Sequence, residues 1–497
     1  MILERTSGIL AHPTCFPSSY GIGDLGKGAY TFVDFLKKGK QQLWQVLPLG
    51  PTGFGDSPYQ SFSTFAGNPL LISPDILAKE NLLLEEELQD VPPCDPNRIN
   101  YGEVINYKTK LMKKAHSRFD DLRKEAYIDF CKDNAFWLED YALFMALKNH
   151  FSGAIWNSWP EDIKNRDSKS VAGWKEQLKD DISFHKFLQY TFFKQWNALK
   201  YYANRRNIAI IGDIPIFVAM DSADVWANPE LFLLDKKGKP KAVAGVPPDY
   251  FSETGQLWGN PLYDWPVHAK DKFSWWQRRV AGTLAVVDKV RIDHFRGFES
   301  YWAIPYGEKT AIKGQWQKGP GEEFFLELKR VMGDLPIIAE DLGIIDDSVR
   351  ELRDKLGLPG MKVLHFAFSG DAKNLHLPHS FDTVNAVVYS GTHDNDTSLG
   401  WYQQADDYEQ NFYRRYMNVH GSDVSWDMIR LAYSTIACYA IVPIQDVMSL
   451  GPKARMNTPG VAGGNWQFRY KEEMLTDNMA YGLAYLTELY DRFTERE

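Results

Sequence analysis

Asp293, Glu340 and Asp394 each stand at or just past the end of a short apolar run that reads as a strand. Their contexts are Lys289-Val-Arg-Ile-Asp293-His-Phe-Arg-Gly297, Pro336-Ile-Ile-Ala-Glu340-Asp-Leu-Gly343 and Ala386-Val-Val-Tyr-Ser-Gly-Thr-His-Asp394. One such acid is ordinary, equally well explained as a solvated strand end or a helix N-cap. Three in matching contexts, each followed by polar or glycine-containing loop, point to the rim of a barrel where acids converge on one substrate. Glycosyl transfer needs such a set, with one carboxylate as nucleophile and another carboxyl as general acid/base.

The neighbours sharpen the assignment. Arg291 and Asp293 are two apart on one strand, so their side chains share a face. A guanidinium beside a carboxylate favours the ionised form that a nucleophile requires. Glu340 follows the apolar run Ile337-Ile-Ala339; such surroundings raise a carboxyl pKa and hold its proton for a leaving group.

Positioning these residues requires strands that end together. Helix-then-strand units recur along the chain: a helical spacing over residues 26–40 precedes Leu43-Trp-Gln-Val-Leu47, and a long amphipathic run through Phe187, Phe192 and Trp196 precedes Asn207-Ile-Ala-Ile-Ile-Gly-Asp213. Glu322 to Met332 reads as a helix closed by Gly333, and Asp346/Asp347 cap another that runs to Leu356. A further helix over Leu431–Ala437 precedes Tyr439-Ala-Ile-Val-Pro-Ile444. Alternating helices and near-continuous apolar strands imply a parallel sheet. Candidate strands fall near residues 44, 69, 209, 290, 337, 363, 387 and 440. Eight is the number of a (β/α)₈ TIM barrel; no Gly-x-Gly-x-x-Gly turn supports the alternative, a doubly wound open sheet. The expected organisation is a single catalytic barrel over residues 1–497. A helical insertion at 78–180 and a loop-rich insertion at 219–280 over the cleft interrupt it, and no C-terminal β-domain follows.

A chain of 497 residues would fill about three average domains, but one elaborated barrel reaches this size equally well. Net charge is −9 with no long basic run, which argues against nucleic acid or anionic membranes as partners and suits a neutral substrate. Aromatic residues reach 14%; most belong to the core, and the excess of Trp and Tyr also fits sugar-stacking platforms. Cys15, Cys94, Cys131 and Cys438 lie far apart with no Cys-x-x-Cys spacing, so neither a metal knuckle nor a disulfide framework is expected, and a reducing cytoplasm is the default. The first residues lack the apolar stretch of a signal peptide.

The strand-end stretches Gly212-Asp-Ile-Pro-Ile-Phe-Val218, Val290-Arg-Ile-Asp-His294, Ile338-Ala-Glu-Asp-Leu-Gly343 and Gly391-Thr-His-Asp-Asn-Asp-Thr397 resemble those of the α-amylase clan. Within it, the whole chain resembles the 4-α-glucanotransferases called amylomaltases or disproportionating enzymes. More specific stretches carry that likeness: Ser57-Pro-Tyr-Gln-Ser-Phe-Ser-Thr-Phe-Ala-Gly-Asn-Pro69, residues 245–261 and Arg455-Met-Asn-Thr-Pro-Gly460. The resemblance implies that Asp293 is the nucleophile, Glu340 the acid/base, and Asp394 a ligand of donor-sugar hydroxyls that stabilises the oxocarbenium-like transition state. It places Asp213, Arg291, His294 and His393 around the sugar at the cleavage point, and Tyr59 and Trp258 as aromatic contacts. Ser57, Asp249, Gln256 and Asn465 are further candidates for binding sugar. Asp341 either contacts a neighbouring sugar or holds Arg and backbone groups. Donor and acceptor would be malto-oligosaccharides, amylose or other α-1,4-glucans, with cyclic glucans formed from amylose. No cofactor and no metal are implied, and the working state would be a monomer or weak homo-oligomer.

Two other classes remain open to the residues alone. A non-catalytic glucan-binding barrel would have no need of Asp293 or Glu340. A metal-dependent barrel hydrolase could draw on His294, His393 and Asp394, yet no His-x-His or His-Glu-x-x-His spacing is present.

Overall fold

Short runs of Ile, Val, Leu and Ala without a polar face form strands only where both sides are covered, as in a parallel sheet under helices. The computed structural model describes residues 4–120, 124–248, 252–461 and 463–494. The strands are β1 (Thr6–Leu10), β2 (Leu43–Gln45), β3 (Ala209–Pro215), β4 (Ala242–Val246), β5 (Gln256–Pro261) and β6 (Lys289–Asp293). They continue as β7 (Ser300–Pro305), β8 (Gln315–Lys318), β9 (Ile337–Ala339), β10 (Gly360–Val363), β11 (Ala386–Tyr389) and β12 (Tyr439–Pro443).

Eight of them pair in parallel in the order β10-β11-β12-β1-β2-β3-β6-β9. Ala339 N donates to Pro359 O at 2.9 Å, which brings the two ends of that order together and makes the sheet a barrel. The register sets the site. Arg291 on β6 lies opposite Asp213 on β3, and Ile292 lies opposite Ala339 on β9, so the ends of the three strands present their side chains side by side.

One barrel strand differs from expectation. The segment near residue 69 is a single 3₁₀ turn, Pro69–Leu71, because Pro69 occupies its first position and the Asn68 side chain accepts from Leu70 N at 3.0 Å. Its place in the ring belongs to β1, buried along its whole length between β12 and β2. Thr6, Ser7 and Gly8 do not read as a strand because small residues conceal the apolar signal. Packing demands them: a Cβ on Gly8 would come within 2.2 Å of Leu43 O.

Residues 78–180 contain the helices Tyr101–Ser117, Glu125–Asp133, Ala135–His150 and Ser168–Gln177, and lead into the long helix Lys179–Asn204 before β3. The segment 219–280 is more ordered than a loop-rich reading allows. It contains β4, β5 and the helices Ala223–Ala227, Trp265–Lys270 and Ser274–Val286. β4 and β5 join β7 and β8 in an antiparallel sheet of order β5-β4-β7-β8. Glycine, proline and a bulge between Val243 and Gly245 erase the alternation that marks a strand. Gly245 has to be glycine, since its Cβ would lie 2.2 Å from Gln256 O.

Elsewhere the helix limits follow the capping residues. Gly321–Met332 ends at Gly333 with φ 78°, and Asp346 caps Asp347–Lys355 by accepting from Val349 N at 3.2 Å. The helix expected from Leu431 begins earlier, at Val424, and ends at Ser434. The last helix, Asp477–Leu489, leads to Arg492, whose buried guanidinium donates to the carbonyls of Tyr433, Ala437, Thr435 and Thr6. Among the described residues no helix is long and apolar enough to cross a membrane.

Candidate active site at the barrel rim

Arg291 organises the β3–β6 side. Its guanidinium donates through Nη1 to Asp213 Oδ2 at 2.6 Å and through Nη2 to Asp293 Oδ1 at 2.9 Å. The Arg291 side chain is 4% exposed and that of Asp213 is 0% exposed, whereas Asp293 is 31% exposed and faces the cleft. Tyr59, on the loop after β2, donates its hydroxyl to Asp213 Oδ2 at 2.8 Å. Ser57 sets up that loop, its Oγ accepting from Tyr59 N at 3.2 Å. Asp213 thus lies beneath the site, holding Arg291 and Tyr59.

Glu340 leaves β9 with its backbone still engaged: its N–H donates to Ile292 O and its carbonyl accepts from Phe295 N, each at 3.0 Å. The carboxyl accepts from His294 N at 2.6 Å and from Leu342 N at 2.8 Å. His294 turns the chain out of β6 in the left-handed region, with φ 54°. Burial raises the Glu340 pKa, and the neighbouring Asp293 charge raises it further against the opposing effects of Arg291 and the two backbone donors. Asp293 is raised as well, by burial first, with Arg291 opposing. Arg291 therefore does not return Asp293 to an ordinary carboxylate value. Asp293 is the more exposed acid and the one in contact with the guanidinium, so Glu340 is the member of the pair that keeps the proton.

The third acid approaches from β11. Buried Asp446 fixes the chain there, accepting from Ser390 Oγ, Ser398 N and Ser398 Oγ, each at 2.7 Å. His393 stacks on Tyr59 with ring centroids 5.2 Å apart and planes at 13°, and its Nε2 lies 3.4 Å from Asp394 Oδ1. Asn457 Nδ2 donates to that same oxygen at 2.6 Å. Trp466 completes the aromatic wall, 5.8 Å from Tyr59 and 6.0 Å from His393 between ring centroids.

The other candidates divide. Trp258 meets His294 edge-on at 4.8 Å and donates its Nε1–H to Gln256 Oε1 at 3.1 Å, so the β5 pair stands beside the β6–β9 acids. His294 is half-buried, its enclosed Nε2 has no partner among the described residues, and desolvation with nearby Arg296 lowers its pKa to about 3, which makes it a neutral imidazole. The Asp341 carboxylate accepts from Arg353 Nη1 at 2.5 Å and from Met361 N at 2.7 Å, fixing the start of β10. Asn465 braces its own loop, accepting from Thr458 N at 3.0 Å and donating to Val461 O at 2.8 Å. Asp249 lies outside the described residues. Asn457 and Trp466 are additions that sequence reasoning did not single out; the stretch Arg455–Gly460 was the available signal for the first. Among the described residues, no group of three or more His, Cys, Asp or Glu is placed to hold a metal ion.

Two acids of unequal proton affinity and a third carboxylate at the C-terminal rim of a β/α barrel define an enzyme acting on glycosidic bonds. The chain belongs to the 4-alpha-glucanotransferase family, whose model matches residues 11–476, and it has that family's transferase activity. It is 50% identical to the 4-alpha-glucanotransferase of Synechocystis over 99% of both chains. With the Thermus thermophilus enzyme of the same name it shares 48% identity over 99% of this chain and 100% of the relative. The solved amylomaltase of Streptococcus agalactiae in complex with acarbose superposes with a TM-score of 0.96 at 40% identity, covering 99% of this chain and 100% of that one. The fold is shared more distantly with Corynebacterium glutamicum amylomaltase, at a TM-score of 0.78 and 17% identity over 97% of this chain and 74% of that one.

Proposed function

We propose that the enzyme transfers α-1,4-glucan segments between malto-oligosaccharides by a double displacement that retains anomeric configuration, and that it closes long amylose donors into cyclic glucans. Asp293 attacks C1 of the donor sugar, forming a C1–O bond as the bond from C1 to the glycosidic oxygen breaks. Glu340 gives its proton to that departing oxygen. In the second half, Glu340 takes the proton of an acceptor 4-hydroxyl, whose oxygen displaces Asp293 from C1. Asp394 binds donor ring hydroxyls and stabilises the oxocarbenium-like charge, and Tyr59, His393 and Trp258 offer ring faces and edges to the sugars. The observation that carries the reading is the Asp293–Glu340 pair, in which the less buried member is held by Arg291 and the more buried member keeps the proton.

The 78–180 helices and the 219–280 segment belong, in this reading, to one catalytic unit, the second flanking the cleft. Among the described residues no disulfide joins Cys15, Cys94, Cys131 or Cys438, which fits a reducing cytoplasm. Incubation with maltotriose tests the activity. Disproportionation gives glucose and a ladder of longer maltodextrins at constant reducing ends, whereas rising reducing ends would reassign the enzyme to hydrolysis. Retention is tested with E340Q and an α-glucosyl fluoride, which needs no acid for departure. The expected result is a peptide containing Asp293 heavier by one glycosyl unit.

A further inference from the structure

Asp394 stands on a loop with its side chain 45% exposed, so packing alone does not choose its rotamer. Both side chains that approach its carboxylate do so at Oδ1: Asn457 Nδ2 donates there at 2.6 Å, and His393 Nε2 lies 3.4 Å away. Among the described residues no donor reaches Oδ2. The loop carrying Asn457 also grips the main chain, since Arg455 Nη2 donates to Asp394 O and Arg455 Nε to Asn457 O, each at 2.7 Å.

That grip has its own support. The Asn465 bonds to Thr458 and Val461 cross the loop, and Trp466 N donates to Met456 O at 2.7 Å. Behind Trp466 the helical segment takes hold: Tyr101 Oη donates to Trp466 O at 2.9 Å, Ile99 N to Gln467 O at 2.8 Å, and Arg469 N to Asn97 O at 3.0 Å. A side chain meant only to fill space would not need a frame drawn from two distant parts of the chain.

We infer that Asn457 is a positioning residue for glycosyl transfer: it fixes Oδ1 of Asp394 so that Oδ2 is presented to the donor sugar. The inference rests on the role given to Asp394 above. An amide suits the task because it donates a hydrogen bond without adding charge. A cation would neutralise the carboxylate, and an acid would repel it and draw it toward protonation.

Full-length N457A, N457D and D394N are compared with the parent enzyme on maltotriose. Loss of a hydrogen bond to a charged group is expected to lower kcat about 10- to 100-fold in N457A, with KM changed by less than about threefold. N457D is expected to move the acid limb of the kcat/KM profile upward. Both should keep the parent's thermal midpoint to within about 3 °C, since the site is half exposed. Parental kcat in N457A beside an inactive D394N would overturn the inference. So would a loss of activity that merely follows a fallen midpoint, with the N457D profile unmoved. An active D394N would instead overturn the role of Asp394.

Discussion

Replacing Arg291 separates its two duties. In R291A the Asp213 carboxylate, 0% exposed, loses its cation and keeps only the Tyr59 hydroxyl on Oδ2. Stranding a buried charge in this way costs about 3–5 kcal/mol, and the variant should unfold at correspondingly lower urea. In R291K one ammonium must replace a fork whose separate nitrogens reach Asp213 at 2.6 Å and Asp293 at 2.9 Å. A point charge cannot reproduce both bonds. The fully buried Asp213 has the greater need, so Lys is expected to pair with it and release Asp293. Stability then stays within about 1–2 kcal/mol of the parent, while Asp293 loses the main influence opposing its raised pKa. A nucleophile must be ionised, and activity is lost as pH falls through its pKa, so a further rise moves the acid limb upward. A shift of about one unit corresponds to 1.36 kcal/mol, or about a tenfold loss of kcat/KM on the acid side. Glucose release from maltotriose across pH, together with urea unfolding, measures both effects. An R291K profile that matches the parent, or an R291A as stable as the parent, would refute the division of labour.

The pH profile of the parent should be a bell whose alkaline limb lies well above the ordinary glutamate range of about 4.3, because burial and the Asp293 charge raise Glu340. E340Q acting on a glucosyl fluoride should lose that limb from the first half-reaction. The same raised pKa has a stability sign. The protonated form is favoured in the fold, so its contribution is present below the unfolded value and lost as pH rises through the folded one. Urea midpoints at pH 5 and pH 8 should therefore improve for E340Q relative to the parent at the higher pH; the opposite trend would contradict the assignment. R492A leaves buried carbonyls of Tyr433, Ala437 and Thr435 without their shared donor. It should lose at least about 3 kcal/mol by denaturant titration, with the activity of the remaining folded enzyme intact.

Reading the chain alone located the three acids because each follows an apolar run that only a buried parallel strand explains. Arg291 was visible for the same reason, Asp213 came from the family resemblance, and their pairing follows from register once the strands are neighbours. β1 was not visible because Gly8 and its small neighbours fit a crowded ring and carry little hydrophobic pattern. β4 and β5 were hidden by the glycines and prolines that shape them, and β8, exposed along its length, offers no buried face to detect. Asn457 reaches Asp394 across 63 residues of chain, a separation at which no local pattern speaks. Asp341 shows the converse: adjacency to Glu340 left two roles open, and its bonds from Arg353 and Met361 became visible only in the fold.

The place of β1 between β2 and β12 has a consequence for how the chain is made. Of the described strands β1 is synthesised first and can pair early with β2, but its other neighbour, β12, is the last to appear. Until then one edge of β1 exposes unpaired backbone groups, a template for unwanted association. Arg492 then draws the C-terminal segment onto Thr6 O across a sequence separation of 486 residues. Ring closure and this latch belong to the final stage of folding, where long-range pairing is slow. A nascent or refolding chain is most prone to aggregate just before that stage. A permuted order of elements that places β12 directly ahead of β1 would bring the two together early and shorten the interval of risk.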